Sequence, residues 1–178
     1  MNKWLLAGVI TSLGIGTIYA VSRYSVSTPR ISDTAVSVVM PAKDEDPSLV
    51  SLSLNSILKQ LPNGSEVILV TNEDYIVNDD RVRVIRSPVG KLNARNIGTE
   101  NAINDIIVAV DADTYYPPGW LYKVLEPFKD PKVVGVATPS NFFSDPLFDM
   151  WLYPAYVYVQ SRKMSGRSSA YRKWAWEV

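Results

Sequence analysis

The 178-residue chain is long enough for one domain of ordinary size, and its 47% apolar content is enough to build a core. Its 18 basic and 18 acidic side chains cancel, so nothing in the charge points to a nucleic-acid partner. Cys and His are both absent, which excludes disulfides, thiol chemistry, imidazole bases and the usual zinc ligands and leaves acid-base work to Asp, Glu, Lys or Tyr.

Trp4 to Val21 carries no charge, with Lys3 before it and Arg23 after it. As a helix this stretch would rise about 27 Å, close to the hydrocarbon thickness of a bilayer. Residues 1–23 are therefore expected to form a single-pass N-terminal membrane anchor. A cleaved signal peptide is the rival, but Ile18-Tyr19-Ala20 makes a poor small-x-small cleavage site, and a buried soluble helix is a third alternative. Gly8, Ser12, Gly16 and Ala20 recur every four residues, the spacing of a helix-pairing face and hence of a homo-oligomer, although small residues are also simply common in membrane helices. The flanking charges do not set which side of the membrane the domain faces. Residues 24–34, rich in Ser and Thr with Pro29, read as a linker.

From residue 35 onward, strand and helix patterns alternate. Ala35 to Met40 is an apolar, β-branched strand ended by Pro41. Pro47 opens a helix with Val50, Leu54, Ile57, Leu58 and Leu61 on one face, stopped by Pro62-Asn63-Gly64. Strands are predicted over Glu66 to Thr71 and Val82 to Ile85, a helix over Lys91 to Asn101 and a strand over Asp105 to Val110. Helix Trp120 to Phe128, strand Val133 to Ala137 and a helix over Leu147 to Lys163, kinked or divided at Pro154, complete the order. The alternation implies an α/β sandwich with a mostly parallel sheet.

Asp111-Ala112-Asp113 directly follows the apolar run Ile106 to Val110, so two carboxylates emerge where a buried strand ends. Ligands of open α/β sheets gather at such ends. Carboxylates spaced this way can hold a hard cation, Mg²⁺ or Mn²⁺, against phosphate oxygens, whereas an isolated Asp-x-Asp string can also be a solvated turn.

Four ordered segments resemble the family 2 glycosyltransferases, inverting enzymes of the GT-A fold that use nucleotide-diphosphate sugars. Val36 to Glu45 is similar to the family's first strand and its Pro-x-x-Asn-Glu loop, and Ser53 to Gln60 to the helix after it. Gly90-Lys91-Leu92-Asn93-Ala94-Arg95-Asn96-Ile97-Gly98 is similar to the stretch before the family's acidic motif, and Asp111-Ala112-Asp113 with Pro118 and Gly119 to that motif itself. A weaker likeness joins Gly166 to Lys173 to the family's Ala-Tyr-Arg-Arg segment, across the sugar site. The resemblance implies a GT-A-like α/β/α domain over residues 35–178.

By that resemblance Pro41, Ala42 and Glu45 border the base and ribose, and Lys91 and Arg95 contact the diphosphate or the acids near it. Asp113 coordinates a Mg or Mn cation. Asp111 and Ala112 share the nucleotide-sugar site, with Asp111 reaching the ribose or a metal-bound water. Asn72 stands where the family often has an acid and can read a base edge as donor and acceptor, so both UDP- and GDP-linked sugars remain open. The alternatives are a solvated acidic loop over Asp44 to Asp46 and an exposed basic face at Lys91 and Arg95. Trp120, Trp151, Trp174, Trp176, Tyr153, Tyr156 and Tyr158 are read as core rather than as a sugar groove, while Tyr115 and Tyr116 line the site or cover the strand end.

An inverting transfer needs a carboxylate base, which the family draws from beyond the last similar segment. Asp145, Asp149, Glu177 or a partner chain supplying the acceptor site are the candidates. The expected function is a membrane-anchored, metal-dependent glycosyltransferase. The alternative is a noncatalytic protein of the same fold with a structural or interaction role at a membrane.

Overall fold

The computed structural model describes residues 11–12, 15–16, 32–87, 90–138 and 168–176. The domain is built on strands β1 (Ser37–Ala42), β2 (Glu66–Thr71), β3 (Val82–Arg86), β4 (Ile106–Ala109), β5 (Gly135–Ala137) and β6 (Ser169–Arg172). These form one sheet in the order β3-β2-β1-β4-β6-β5. The first four strands are parallel, and β6 pairs antiparallel with both β4 and β5. Helices α1 (Pro47–Leu58), α2 (Lys91–Glu100) and α3 (Trp120–Leu125) connect them.

Two-residue alternation along the strands divides the core into two layers. Val38 and Met40 of β1 pack with Val67 and Leu69 of β2 against Leu54 and Ile57 of α1 and Leu121 and Leu125 of α3. Val39, Ile68, Val70 and Ile107 face the other way, toward Ala94 of α2. Strands buried on both faces need continuous apolar runs, which β1, β2 and β4 supply. Helix α2 approaches β1 closely at Gly98, where an added Cβ would lie 2.4 Å from Val39 Cγ1.

The strand ends away from the acidic motif are tied by buried Glu66. Its carboxylate accepts from Ser37 Oγ at 2.7 Å and the Ile103 amide at 2.9 Å, and pairs with Arg83 at 3.0 Å. A buried carboxylate is tolerated when it is satisfied in this way.

Several elements differ from the sequence expectation. Pro41 does not end β1 but lies inside it, in register with Val70. Pairing with β4 stops at Val39, so the amide that Pro41 lacks faces a side where the ladder has already ended. The helix expected to run to Phe128 changes to 3₁₀ at Glu126–Lys129, where Pro127 cannot continue the α ladder. The expected strand from Val133 is ordered as strand only at Gly135–Ala137. The helix expected over 147–163, with its aromatic residues, lies outside the described residues.

The anchor predicted over residues 1–23 also lies mostly outside them. Thr11–Ser12 and Ile15–Gly16, the part that is described, pair antiparallel instead of forming helix. Thr11 and Ile15 are β-branched and Gly16 is a weak helix former, which lowers the preference for helix at these positions. Among the described residues no helix is long and apolar enough to cross a membrane.

Candidate functional site

The sheet order reverses at β1, whose chain continues to β2 on one side while β4 lies on the other. A crevice opens there at the C-terminal ends of the strands, the position where open α/β sheets bind ligands. Its inner limit is the hydrogen bond from the Val110 amide to the Val39 carbonyl, 3.0 Å. Beyond that point β1 leads into Lys43 to Asp46 and β4 into Asp111-Ala112-Asp113.

The loop after β1 is shaped by its own acids. Asp44 adopts a left-handed conformation (φ 55°), which Asp tolerates better than most residues, and its amide donates to Glu73 Oε1 at 3.0 Å. Asp46 is the N-cap of α1: its Oδ1 accepts from the Ser48 amide at 2.8 Å and from Ser48 Oγ at 2.7 Å, which holds its carboxyl below the usual range. Two members of the acidic run thus shape the loop, and the half-buried Glu45 is set between them.

A cleft of about 160 Å³ lies against this loop. Pro41, Ala42, Glu45, Asn72 and Lys91 line it together with Lys43, Val70, Thr71, Ser87 and Ala94. A larger cleft of about 340 Å³ lies on the outer side of α1, lined by Leu52, Asn55, Lys59, Tyr115 and Pro118 among others. Its walls contain no acid, so it offers no comparable charge arrangement.

At the mouth of the first cleft the basic residues of α2 meet Asp111. Lys91 and Arg95, one helical turn apart, both reach Asp111 Oδ1, at 2.9 and 2.7 Å. The Asp111 side chain is 8% exposed, Arg95 17% and Lys91 49%. Asp111 is therefore a buried anchor, Arg95 a largely buried partner, and Lys91 the member free to meet a ligand. Within the cluster two cations share one carboxylate, which leaves the Lys91 ammonium available to an anion.

Asp113 is placed differently. It is exposed, and the side-chain contact described for it is the Thr114 hydroxyl at 3.3 Å. Ala112 sits between them with its side chain in the core, so only its backbone can meet a ligand. Among the described residues no three acids cluster as a self-sufficient metal cage. One exposed carboxylate with a second beside it fits a cation held mainly by phosphate oxygens and water, as Mg²⁺ commonly is.

The aromatic pair after the motif separates. Tyr115 is exposed, while Tyr116 covers the strand end, with its ring 4.5 Å from that of Trp120. Its hydroxyl accepts from the Asp111 amide at 2.8 Å and donates to the Asp111 carbonyl at 3.3 Å. Burial pushes this phenol up to about 12, so it keeps the proton it donates.

The segment from Gly166 to Lys173 is described from Ser168 onward, and its long side chains are used by the fold. The Tyr171 hydroxyl lies 2.9 Å from Thr99 Oγ1, Arg172 Nε donates to the Val133 carbonyl at 2.9 Å, and Lys173 Nζ donates to that of Ala102 at 2.8 Å. The base candidates Asp145, Asp149 and Glu177 lie outside the described residues.

Comparison with known proteins places these features in a family. The model of the family described as glycosyl transferase family 2 matches residues 37–175. An N-acetylglucosaminyltransferase of Sinorhizobium fredii is 30% identical over 72% of this chain and 36% of its own length. A hyaluronan synthase of Streptococcus pyogenes is 26% identical over 77% of this chain and 36% of its own. The chain thus spans about a third of the length of these curated relatives. Among solved structures, a mannosyltransferase from Pyrobaculum calidifontis, in complex with GDP-mannose and Mn²⁺, superimposes with a TM-score of 0.62 at 18% identity, over 85% of this chain and 50% of its own. GalNAc-T7 with UDP, GalNAc and Mn²⁺ superimposes at 0.51 and 19% identity, over 57% of this chain and 22% of its own. At these identities the structural likeness establishes the GT-A-like fold.

Proposed function

Since this chain belongs to glycosyl transferase family 2, we propose that its domain holds the nucleotide-diphosphate part of a sugar donor in the β1/β4 crevice and serves transfer of the sugar to an acceptor hydroxyl. The observation that carries this reading is the Lys91-Asp111-Arg95 cluster beside the exposed Asp113.

In this reading Asn72 and the Pro41-Ala42 backbone meet the base, and Glu45 accepts from a ribose hydroxyl. Lys91 turns its half-exposed ammonium from Asp111 toward the diphosphate, while Arg95 keeps the Asp111 carboxylate in place. The Asp113 carboxylate, supported by Asp111, would hold Mg²⁺ or Mn²⁺. When bound, that cation would stabilise the negative charge that grows on the departing diphosphate. The acceptor oxygen attacks the anomeric carbon from the opposite face as the bond to the diphosphate breaks, and its proton passes to a carboxylate from Asp145, Asp149, Glu177 or a partner chain. The ligands named in the two neighbouring structures support a nucleotide sugar and a divalent cation as the class of partner.

The test is calorimetry of the full chain against UDP- and GDP-linked sugars, with and without Mn²⁺. Binding of at least one donor that tightens markedly when metal is present supports the site, and no binding of any donor contradicts it.

We propose in addition that the uncharged stretch Trp4–Val21 attaches the domain to a membrane as a single-pass anchor. Deleting residues 1–23 should move the protein from the membrane fraction to the supernatant. A full chain that stays in the supernatant without detergent would refute the anchor.

A further inference from the structure

Helix α1 and the turn that ends it carry three buried polar side chains, Ser53, Ser56 and Gln60, on a face that otherwise packs apolar residues. At spacings of three and four they form one stripe that runs down the last turns of the helix and into that turn. Every one of them ends on the chain that follows β4. Ser53 Oγ donates to the Asp111 carbonyl at 3.0 Å, and Ser56 Oγ accepts from the Tyr116 amide at 3.1 Å. Gln60 Nε2 donates to the carbonyls of Tyr116 at 3.1 Å and Pro117 at 3.3 Å, and Gln60 Oε1 accepts from the Leu121 amide at 2.9 Å. The turn carrying exposed Asp113 is therefore pinned on both sides, at Asp111 and at Tyr116 to Leu121, by one rigid element.

We infer that Ser53, Ser56 and Gln60 are positioning residues that set Asp113 for its cation, a reading that rests on the function proposed above. An apolar stripe would have packed the helix equally well. Buried polar side chains carry a desolvation cost, and here each returns it by satisfying backbone groups of the 111–121 segment. That segment has no sheet or helix ladder of its own between Val110 and Trp120, so without these side chains the Tyr116 amide and carbonyl and the Leu121 amide would lose the partners described for them, the Asp111 carbonyl would keep only the longer bond from the Tyr116 hydroxyl, and the turn would lose its fixed shape. Groups that orient a ligating side chain typically change metal affinity about 10- to 100-fold when removed.

The experiment compares the full chain with Ser53→Ala and Gln60→Met, Ser53→Ala being the milder change should Gln60→Met fold poorly. Electron paramagnetic resonance of free Mn²⁺ measures metal uptake in the presence of UDP or GDP, and calorimetry measures nucleotide affinity without metal. Hydrogen exchange is followed on peptides covering 111–121 and, as a control, 66–71. The expected result is Mn²⁺ uptake weakened about tenfold, faster exchange over 111–121, unchanged exchange over 66–71 and unchanged metal-free nucleotide affinity. A general loss of structure would lower both affinities together and overturn the inference, as would unaltered Mn²⁺ uptake or unaltered exchange over 111–121. If the unsubstituted chain takes up no Mn²⁺ with either nucleotide, the proposed function fails and this inference with it. Normal uptake in both variants overturns this inference alone.

Discussion

Asp111→Ala is expected to lower stability by about 3 kcal/mol and to abolish nucleotide binding, because it leaves buried positive charge without its partner. Arg95 has few other options. Its side chain is 17% exposed, and its Nε is already buried without a hydrogen-bond partner among the described residues. Removing Asp111 strands the guanidinium, and leaving a buried charge uncompensated costs more than the pair contributes when intact. Lys91 is half exposed and can turn to water, so Lys91→Ala should change stability by less than about 1 kcal/mol while weakening diphosphate binding. Asp111→Asn, which keeps the shape and loses the charge, should fall between. Urea unfolding of the three variants checks the order. Equal stability of Asp111→Ala and the unsubstituted chain would show that the cluster does not hold this part of the fold.

The second large effect is expected at Gly98. A Cβ there would stand 2.4 Å from Val39 Cγ1 and within 3.3 Å of Val39 Cβ and Cγ2. Val39 is fully buried in the middle of the sheet and cannot move aside, so the helix must. Gly98→Ala should cost about 1–3 kcal/mol through overpacking, even though alanine is the better helix former. Because α2 also carries Lys91 and Arg95, its displacement should weaken nucleotide binding as well. Val39→Ala removes the two methyl carbons that a new Cβ meets. The double variant should therefore be more stable than the sum of the single effects predicts, by roughly 1 kcal/mol, as contacting pairs commonly are. Strict additivity in thermal or urea unfolding would place the strain elsewhere.

These expectations depend on features that were unequally legible in the sequence. Strands β1, β2 and β4 were evident because a strand covered on both faces must be apolar throughout. Helix α1 was evident from its apolar spacing, and Lys91 and Arg95 were recognised as sharing a helix face. The resemblance left their contact open between the diphosphate and the acids near it; that both would end on the one carboxylate of Asp111 depends on how closely α2 settles on β1, and Gly98 sets that distance. Pro41 misled because proline usually interrupts a strand; its tolerance here depends on the ladder to β4 stopping two residues earlier, which is a tertiary fact. The antiparallel strand β6, with the sequence Ser-Ala-Tyr-Arg, has too weak a pattern to announce itself and is recruited by the exposed edge of β4. The polar stripe of α1 was missed because reading a helix by its apolar positions discards the polar ones. Ser53, Ser56 and Gln60 would have stood out as polar residues at core spacing.

In the function proposed above, Asp113, held beside the Lys91-Asp111-Arg95 cluster, binds a cation together with a nucleotide-diphosphate sugar. Calorimetric titration of UDP- and GDP-linked sugars in the presence of Mn²⁺, on the full chain and on Asp113→Ala, tests it most directly. Asp113 is exposed, so the substitution should leave the melting temperature nearly unchanged. Metal-dependent binding of a donor is expected for the unsubstituted chain, and its loss in Asp113→Ala. Equal metal-dependent binding by both proteins, or none by the unsubstituted chain, would contradict it.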